Sequence, residues 1–275
     1  MILTENDLGR MADRLRLDVV ETVHKAGDGH PGPCMSIAEL MSVLYFHEMK
    51  IDPKNPDWEQ RDRFILSKGH ACPILYAALA RRGYFDISEL QNLRTVGSML
   101  QGHPDMNKTP GIDSTSGSLG NGISIGLGMA MGCRAQKISN FIYVAVGDGE
   151  QEEGIIWEAA MAAASMNAGN LIVFSDCNNY QSGGHVTDIS SLYPLVPKWQ
   201  SFGWHCQEID GHHIPSIINA IESARSVTDK PSFIAMKTTK GKGIPYMENN
   251  NAWHKRVPTD DELKQAADAL GGNAL

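Results

Sequence analysis

Two apolar runs of strand length, at residues 141–146 and 171–174, flank an Ala-rich segment of helix length. The first run stops at Gly147-Asp148-Gly149, and the second ends at Asp176-Cys177-Asn178-Asn179, with Tyr180 next. This unit reads as strand, helix, strand. Parallel strands need such a crossover, and open α/β sheets take their ligands at the carboxyl ends of the strands. Asp148 and Asn178 fall at two such ends and are expected to be neighbours in space. A carboxylate, an amide oxygen and free backbone carbonyls are hard oxygen ligands, of the kind Mg²⁺ takes when it is shared with a phosphate. The start of the helix near Gly149 would face the same anion. Glu150, Glu152 and Glu153 crowd this turn. Acids suit a helix N-terminus, and two of the three read as dipole complements.

The rest of the chain fits around this unit. Thr4 with Asp7 opens a helix over residues 4–26, in which Leu8, Met11, Leu15, Val19 and Val23 recur at steps of three and four. Ser36 with Glu39 opens a second helix, to about residue 48. A short buried strand is expected at 64–67, a helix at 72–82, and another capped by Asp86 with Glu89. Residues 97–116 show no period and read as loop, whereas the Gly- and Ala-rich stretch 119–136 fits a tightly packed helix. Beyond the central unit, 181–188 reads as a loop over the carboxyl edge, and 199–203 as the end of a short helix. Strands at 204–209 and 232–236 flank a helix at 213–227. Residues 237–258 read as a long irregular loop, and Thr259 with Glu262 caps a last helix ending at Gly271-Gly272. Strands alternating with helices predict an α/β fold, a parallel sheet with helices on both faces. With no repeat and no linker, residues 1–275 are expected to form a single domain with an N-terminal helical extension.

The net charge of −8, without a basic tract, argues against nucleic acid as a partner. Residues 1–7 lack the basic start and apolar core of a signal peptide. No apolar run approaches the roughly 20 residues that span a bilayer. The five cysteines are scattered and form no C-x-x-C, which predicts free thiols and a cytoplasmic location.

Five of the ten histidines follow a glycine: His30, His70, His103, His185 and His212. His30 and His103 stand in Gly-His-Pro tripeptides. A glycine before a polar side chain lets the backbone approach a ligand closely. A loop histidine without a role is the plain alternative for any one of them, and zinc is a rival for the set. Yet no H-x₃-H, H-E-x-x-H or paired-cysteine pattern is present. The run Gly117-Ser118-Leu119-Gly120-Asn121-Gly122, with Gly126, imitates a dinucleotide fingerprint but lacks a preceding strand and a later acidic partner. It suits either close helix packing or a ligand-facing turn. The segment 237–243, K-T-T-K-G-K-G, has the wrong order for a phosphate loop and reads as a solvated loop or an interface.

G-D-G-E-Q-E-E-G followed by N-N resembles the thiamine-diphosphate motif, and its surroundings resemble one branch of that superfamily, the transketolases. G-D-G-H-P-G-P (27–33) is similar to their S-G-H-P-G-A-P, and R-F-I-L-S-K-G-H (63–70) to R-F-V-L-S-x-G-H. Q-G-H-P (101–104) and S-T-S-G-S-L-G-N-G-I (114–123) are similar to P-G-H-P and T-T-T-G-P-L-G-Q-G-I. The W-H at 253–254 stands where the family keeps a further histidine. The likeness covers essentially the whole chain. It extends to only the first, diphosphate-binding domain of a transketolase, which is more than twice as long, so it implies the N-terminal subunit of a split enzyme.

The resemblance implies thiamine diphosphate as cofactor, with Mg²⁺, or Ca²⁺ or Mn²⁺ in its place, held by Asp148, Asn178 and the Tyr180 carbonyl. His70 and Gly149 would contact the diphosphate. Gly117, Ser118 and Leu119 would border the cofactor rings. His30, His103 and His254 would face the substrate as catalytic residues. Glu153 would join an acidic network that crosses between subunits. The family pattern is broken at Asn179 and Lys255, where glycine is frequent. The implied reaction moves a two-carbon ketol unit from a ketose, in many members phosphorylated, to an aldose. The implied partner is a C-terminal subunit carrying the pyrimidine-binding domain and the activating glutamate, in an assembly of two copies of each chain. The corresponding subunit of a deoxyxylulose phosphate synthase or a 2-oxo acid dehydrogenase is an alternative, as is a non-catalytic regulatory homologue.

Overall fold

The structure, a computed structural model, describes residues 3–190 and 192–271. Its strands are β1 (Arg63–Leu66), β2 (Ile142–Gly147), β3 (Leu171–Cys177), β4 (Tyr180–Gln181), β5 (Gly184–His185), β6 (His205–Asp210) and β7 (Ser232–Lys237). Five of them form one parallel sheet in the order β1-β2-β3-β7-β6, while β4 and β5 make a separate antiparallel hairpin. The helices are α1 (Glu5–Ala26), α2 (Gly32–Met35), α3 (Ala38–Val43), α4 (Cys72–Arg82), α5 (Asn121–Ala135), α6 (Gly154–Ser165), α7 (Val186–Ile189), α8 (Leu195–Ser201), α9 (Ile214–Ser226) and α10 (Asp260–Ala269).

Side chains alternate across a strand, so each strand feeds two cores. Tyr143, Ala145, Ile172, Phe174, Ile234 and Met236 share one core with Leu15 of α1, Leu40 of α3, Leu75 of α4 and Ile221 of α9. Ile142, Val144, Leu171, Val173, Phe233 and Ala235 share the other with Ile123 of α5, Ile156 of α6 and Trp199 of α8. The expected two-sided α/β sheet is present, and its carboxyl edge collects the turns after β1, β2 and β3. The glycines of α5 settle part of their own ambiguity. A Cβ on Gly122 would lie 2.4 Å from Ser67 Cβ, and one on Gly126 2.8 Å from a Val144 methyl. These glycines let the helix lie tight against β1 and β2.

Three local expectations change. Ser36 and Glu39 do not cap a helix. Ser36 Oγ donates to Asp176 at 2.6 Å and follows the end of α2, while Glu39 is buried against Arg16 inside α3, so the break falls at Ser36 and Ile37. Asp86 caps a short 3₁₀ turn, Ile87–Asn92. Residues 181–188 are ordered into the β4–β5 hairpin and α7. Thr259 and Glu262 form the reciprocal capping box at the start of α10. Gly272, the second glycine of its expected stop, lies outside the described residues. All five cysteines are free thiols, and no helix among the described residues is long and apolar enough to cross a membrane.

Candidate functional site

The ends of β2 and β3 pair residue for residue up to Gly147 and Asp176, which sets Asp148 and Asn178 side by side as expected. Asp148 Oδ2 accepts the Asn179 N–H at 2.6 Å and the Tyr193 hydroxyl at 3.0 Å. Its Oδ1 accepts only the adjoining Gly149 N–H, at 2.9 Å. Asn178 donates its amide N–H to Asp176 at 2.8 Å, and its Oδ1 accepts the Tyr180 N–H at 3.0 Å. The Val186 N–H bonds the Asn179 carbonyl at 3.0 Å. In the alternation of an antiparallel pair, Tyr180 and His185 are then the non-bonded partners, and the Tyr180 carbonyl points away from the hairpin. Asn179 has φ +66°, a left-handed conformation that asparagine tolerates better than most residues, so it can stand where glycine is frequent. One carboxylate oxygen, one amide oxygen and one outward carbonyl fit a hard divalent cation. Burial and the neighbouring Asp176 push the Asp148 carboxyl up to about 6.

Glu150 is no dipole complement. Its carboxylate is buried and accepts the Gly120 N–H at 2.8 Å, the Gly147 N–H at 2.9 Å and the Ser67 hydroxyl at 2.5 Å. It ties together the ends of β1 and β2 and the start of α5. Glu152 accepts from Gln181 at 2.8 Å, while Glu153 is exposed beside Gly120.

A cleft of roughly 340 Å³ opens over this edge, within the usual range of ligand pockets. It is lined by Asp148, Gly149, Glu153, Asn178 and Tyr180 at one side, by Gly117 and Leu119 at another, and by His30, His70 and His254. These three imidazoles, delivered by the turns after α1 and β1 and by the turn Asn251–His254, have centroids 5.2–5.6 Å apart. Burial pushes all three down, to about 4, 2 and 3 for His30, His70 and His254, with neighbouring cations adding to it. They are therefore neutral at pH 7, each with one donor and one acceptor nitrogen. His30 Nδ1 and Ser116 Oγ are buried without a hydrogen-bond partner. Unpaired polar atoms at a cleft are what a polar ligand would satisfy. His103 is exposed at the rim, its imidazole 3.5 Å from where a Gly117 Cβ would stand. Ser118 does not line the cleft. It faces an adjoining shallow groove with Ser114, Ser116 and Asn121.

Sequence reasoning missed three charged residues here. Asp176 accepts from Ser36, Lys68, Asn178 and Thr238. Burial works to raise its pKa, but the Lys68 ammonium holds it below the usual carboxylate range. Lys68 is the variable position of the S-x-G-H segment and lines the cleft. Lys240, expected in a solvated loop, is 0% exposed, and its ammonium donates to Asn251 at 2.7 Å and to His254 Nδ1 at 3.0 Å. Nδ1 must then be the acceptor, which leaves the proton of His254 on Nε2. Among the described residues, no three His, Cys, Asp or Glu side chains converge as an all-side-chain metal site.

Comparison with known proteins bears on the family and the fold. A family described as "Transketolase, thiamine diphosphate binding domain" matches residues 8–274. The chain is 47% identical to the 6-deoxy-6-sulfo-D-fructose transketolase subunit SqwG of Clostridium sp. (strain MSTE9), over 96% of each chain. It is 38% identical to one subunit of the apulose-4-phosphate transketolase of Phocaeicola vulgatus, over 93% of this chain and 90% of that one. Among solved structures, transketolase from Campylobacter jejuni superposes with a TM-score of 0.92 at 31% identity, covering 98% of this chain and 43% of its own. The chain thus spans less than half of that longer protein.

Proposed function

This chain belongs to the transketolase family, through the thiamine diphosphate binding domain that spans it, and from that premise we propose that it is the diphosphate-binding subunit of a split transketolase. A divalent cation, Mg²⁺ or Ca²⁺ or Mn²⁺ in its place, completes its site, and a second chain supplies the pyrimidine-binding domain. The observation that carries this reading is the meeting of an oxygen-donor set with three neutral histidines in one cleft. The two subunit relatives that the chain spans nearly end to end support the division between chains.

Asp148 Oδ1, Asn178 Oδ1 and the Tyr180 carbonyl would hold the cation. The Gly149 N–H and His70 would contact the diphosphate, and Gly117, Ser118 and Leu119 would border the rings. Ser118 would do so from the neighbouring groove, which it lines in place of the cleft. When bound, thiamine diphosphate supplies the electron sink that carries the two-carbon unit between ketose and aldose. The protein's share is position and proton transfer. His254 presents Nε2–H as a donor, and His30 brings an unpartnered Nδ1; neutral imidazoles suit hydroxyl and carbonyl oxygens as acid or base. His103 completes the substrate-facing set from the rim. Glu153, which is exposed, would join acids of a neighbouring subunit. Two copies of each chain form the assembly, and the substrate is an anionic ketose.

The test is co-expression with a candidate pyrimidine-domain chain. The co-purified pair is expected to consume a ketose when given thiamine diphosphate and Mg²⁺. Candidates are 6-deoxy-6-sulfo-D-fructose, apulose-4-phosphate and the pentose phosphates. In the same pair, Asp148→Ala is expected to abolish cation-dependent cofactor binding by titration. Unchanged affinity in that variant would overturn the metal assignment.

A further inference from the structure

His30 and His103, two of the histidines given to the substrate, stand on separate turns, and neither lies in a helix or strand. One side chain joins those turns. The Arg94 guanidinium donates to Asp28 at 2.5 Å, two residues before His30, and to the Gly102 carbonyl at 3.4 Å, one residue before His103. A Cβ on Gly102 would stand 2.9 Å from Arg94 Cζ, so a side chain there would push the guanidinium off. Arg94 has φ +60°, a left-handed backbone that is unfavourable for arginine, and its N–H donates to the Leu100 carbonyl at 2.8 Å. Such strain persists where the surroundings over-determine it, and it clusters at functional sites. Stability does not account for it. An ion pair this open to solvent adds little, with the Arg94 side chain 24% and that of Asp28 41% exposed. From the core side, the Tyr76 hydroxyl lies 2.9 Å from the Gln101 carbonyl and 3.1 Å from the His103 carbonyl. Lys255, the residue after His254, approaches the same Asp28 carboxylate at 3.6 Å. Burial holds His30 and His103 below the ordinary imidazole value, and the Arg94 charge adds to it at both rings.

From this we infer that Arg94 is a positioning residue for the proposed ketol transfer: by spanning the two Gly-His-Pro turns it fixes His103 at the rim relative to His30 inside the cleft. The inference rests on the transketolase reading above. It also explains why a glycine is needed at position 102, and why a loop without helix or strand presents its histidine in one place.

The experiment is a double-mutant cycle on the chain purified with its co-expressed partner, with thiamine diphosphate, Mg²⁺ and the ketose the pair consumes. Arg94→Met, Arg94→Lys, His103→Ala and Arg94→Met with His103→Ala are compared with the wild type. Misplacing a reacting group by about 1 Å costs up to about 100-fold. Arg94→Met is expected to lower kcat/KM by about 10- to 100-fold, with cofactor affinity and melting temperature unchanged. In the His103→Ala background it is expected to cost less than about 3-fold more, because the group it places is already gone. Arg94→Lys keeps the charge without the planar fork, so it is expected to recover little, and it carries the comparison if Met does not fold. A second readout needs no turnover. In NMR titration of the full chain alone, the His103 imidazole is expected to protonate at higher pH in Arg94→Met than in the wild type. Unchanged kcat/KM, an equal loss with and without His103, full recovery by lysine, or an unmoved His103 titration would each overturn the inference while leaving the parent reading intact. A wild-type pair that turns over no ketose would overturn the parent reading and this inference together.

Discussion

His70 shows how much one residue owes to its surroundings. Its imidazole is held neutral by burial first, then by His254 and Lys68, so its folded pKa lies far below the ordinary value of 6.5. Below pH 6.5 the unfolded chain therefore binds a proton at His70 that the folded chain refuses, and stability falls as the pH drops. Asp148 works in the opposite sense over part of that window, because its raised pKa favours proton uptake in the folded state as the pH falls toward 6 and below. The two are separated by difference. In His70→Phe, the loss of melting temperature between pH 7 and pH 5 should be smaller than in the wild type. An equal loss in both would show that His70 is not buried neutral. Much of the residue-level site was legible. Asp148 and His30 announce themselves by glycine neighbours, and Asp148 and Asn178 by their places after strand-like runs. Lys240 did not, because nothing local distinguishes a lysine in a glycine-rich loop from a solvated one. Its burial is set by Asn251 and His254, which come later in the chain.

At the scale of elements, the turn after β2 is organised by Glu150. Replacing it with Ala would leave the buried Gly120 amide and the half-buried Gly147 amide without their acceptor. An unsatisfied buried donor costs about 1–3 kcal/mol. Glu150→Ala is therefore expected to lower the denaturant-derived stability by about 2–6 kcal/mol for the two amides together, toward the low end because Gly147 is only half-buried. A loss under about 0.5 kcal/mol, the scale of an ordinary surface substitution, would contradict the role given to it. Strands and long helices were legible because apolar periodicity is a local signal that burial reinforces. The start of the second helix was not. Ser36 and Glu39 have the spacing of a capping pair, but Asp176 and Arg16 compete for the same side chains and win through burial. The β4–β5 hairpin was hidden by its brevity, since two residues per strand carry no alternation to read.

At the scale of the whole molecule, the proposed division between two chains makes this cleft one part of a shared site. Histidines, oxygen donors and lysines are present, but the glutamate that activates the cofactor's aminopyrimidine belongs, in the family, to the pyrimidine-binding domain. The isolated chain with cofactor and Mg²⁺ is therefore expected to show no ketol transfer in a coupled assay, and measurable turnover by it alone would refute the division of labour. The Glu150 carboxylate gives this division a thermodynamic side. It joins the ends of two strands and a helix start, so their backbones are fixed before any partner arrives. Ordering a residue costs about 1–2 kcal/mol of conformational entropy. A partner that docks on an edge already held in shape meets little of that cost. Its association is then one of rigid surfaces finding each other by diffusion, not of a chain folding around another.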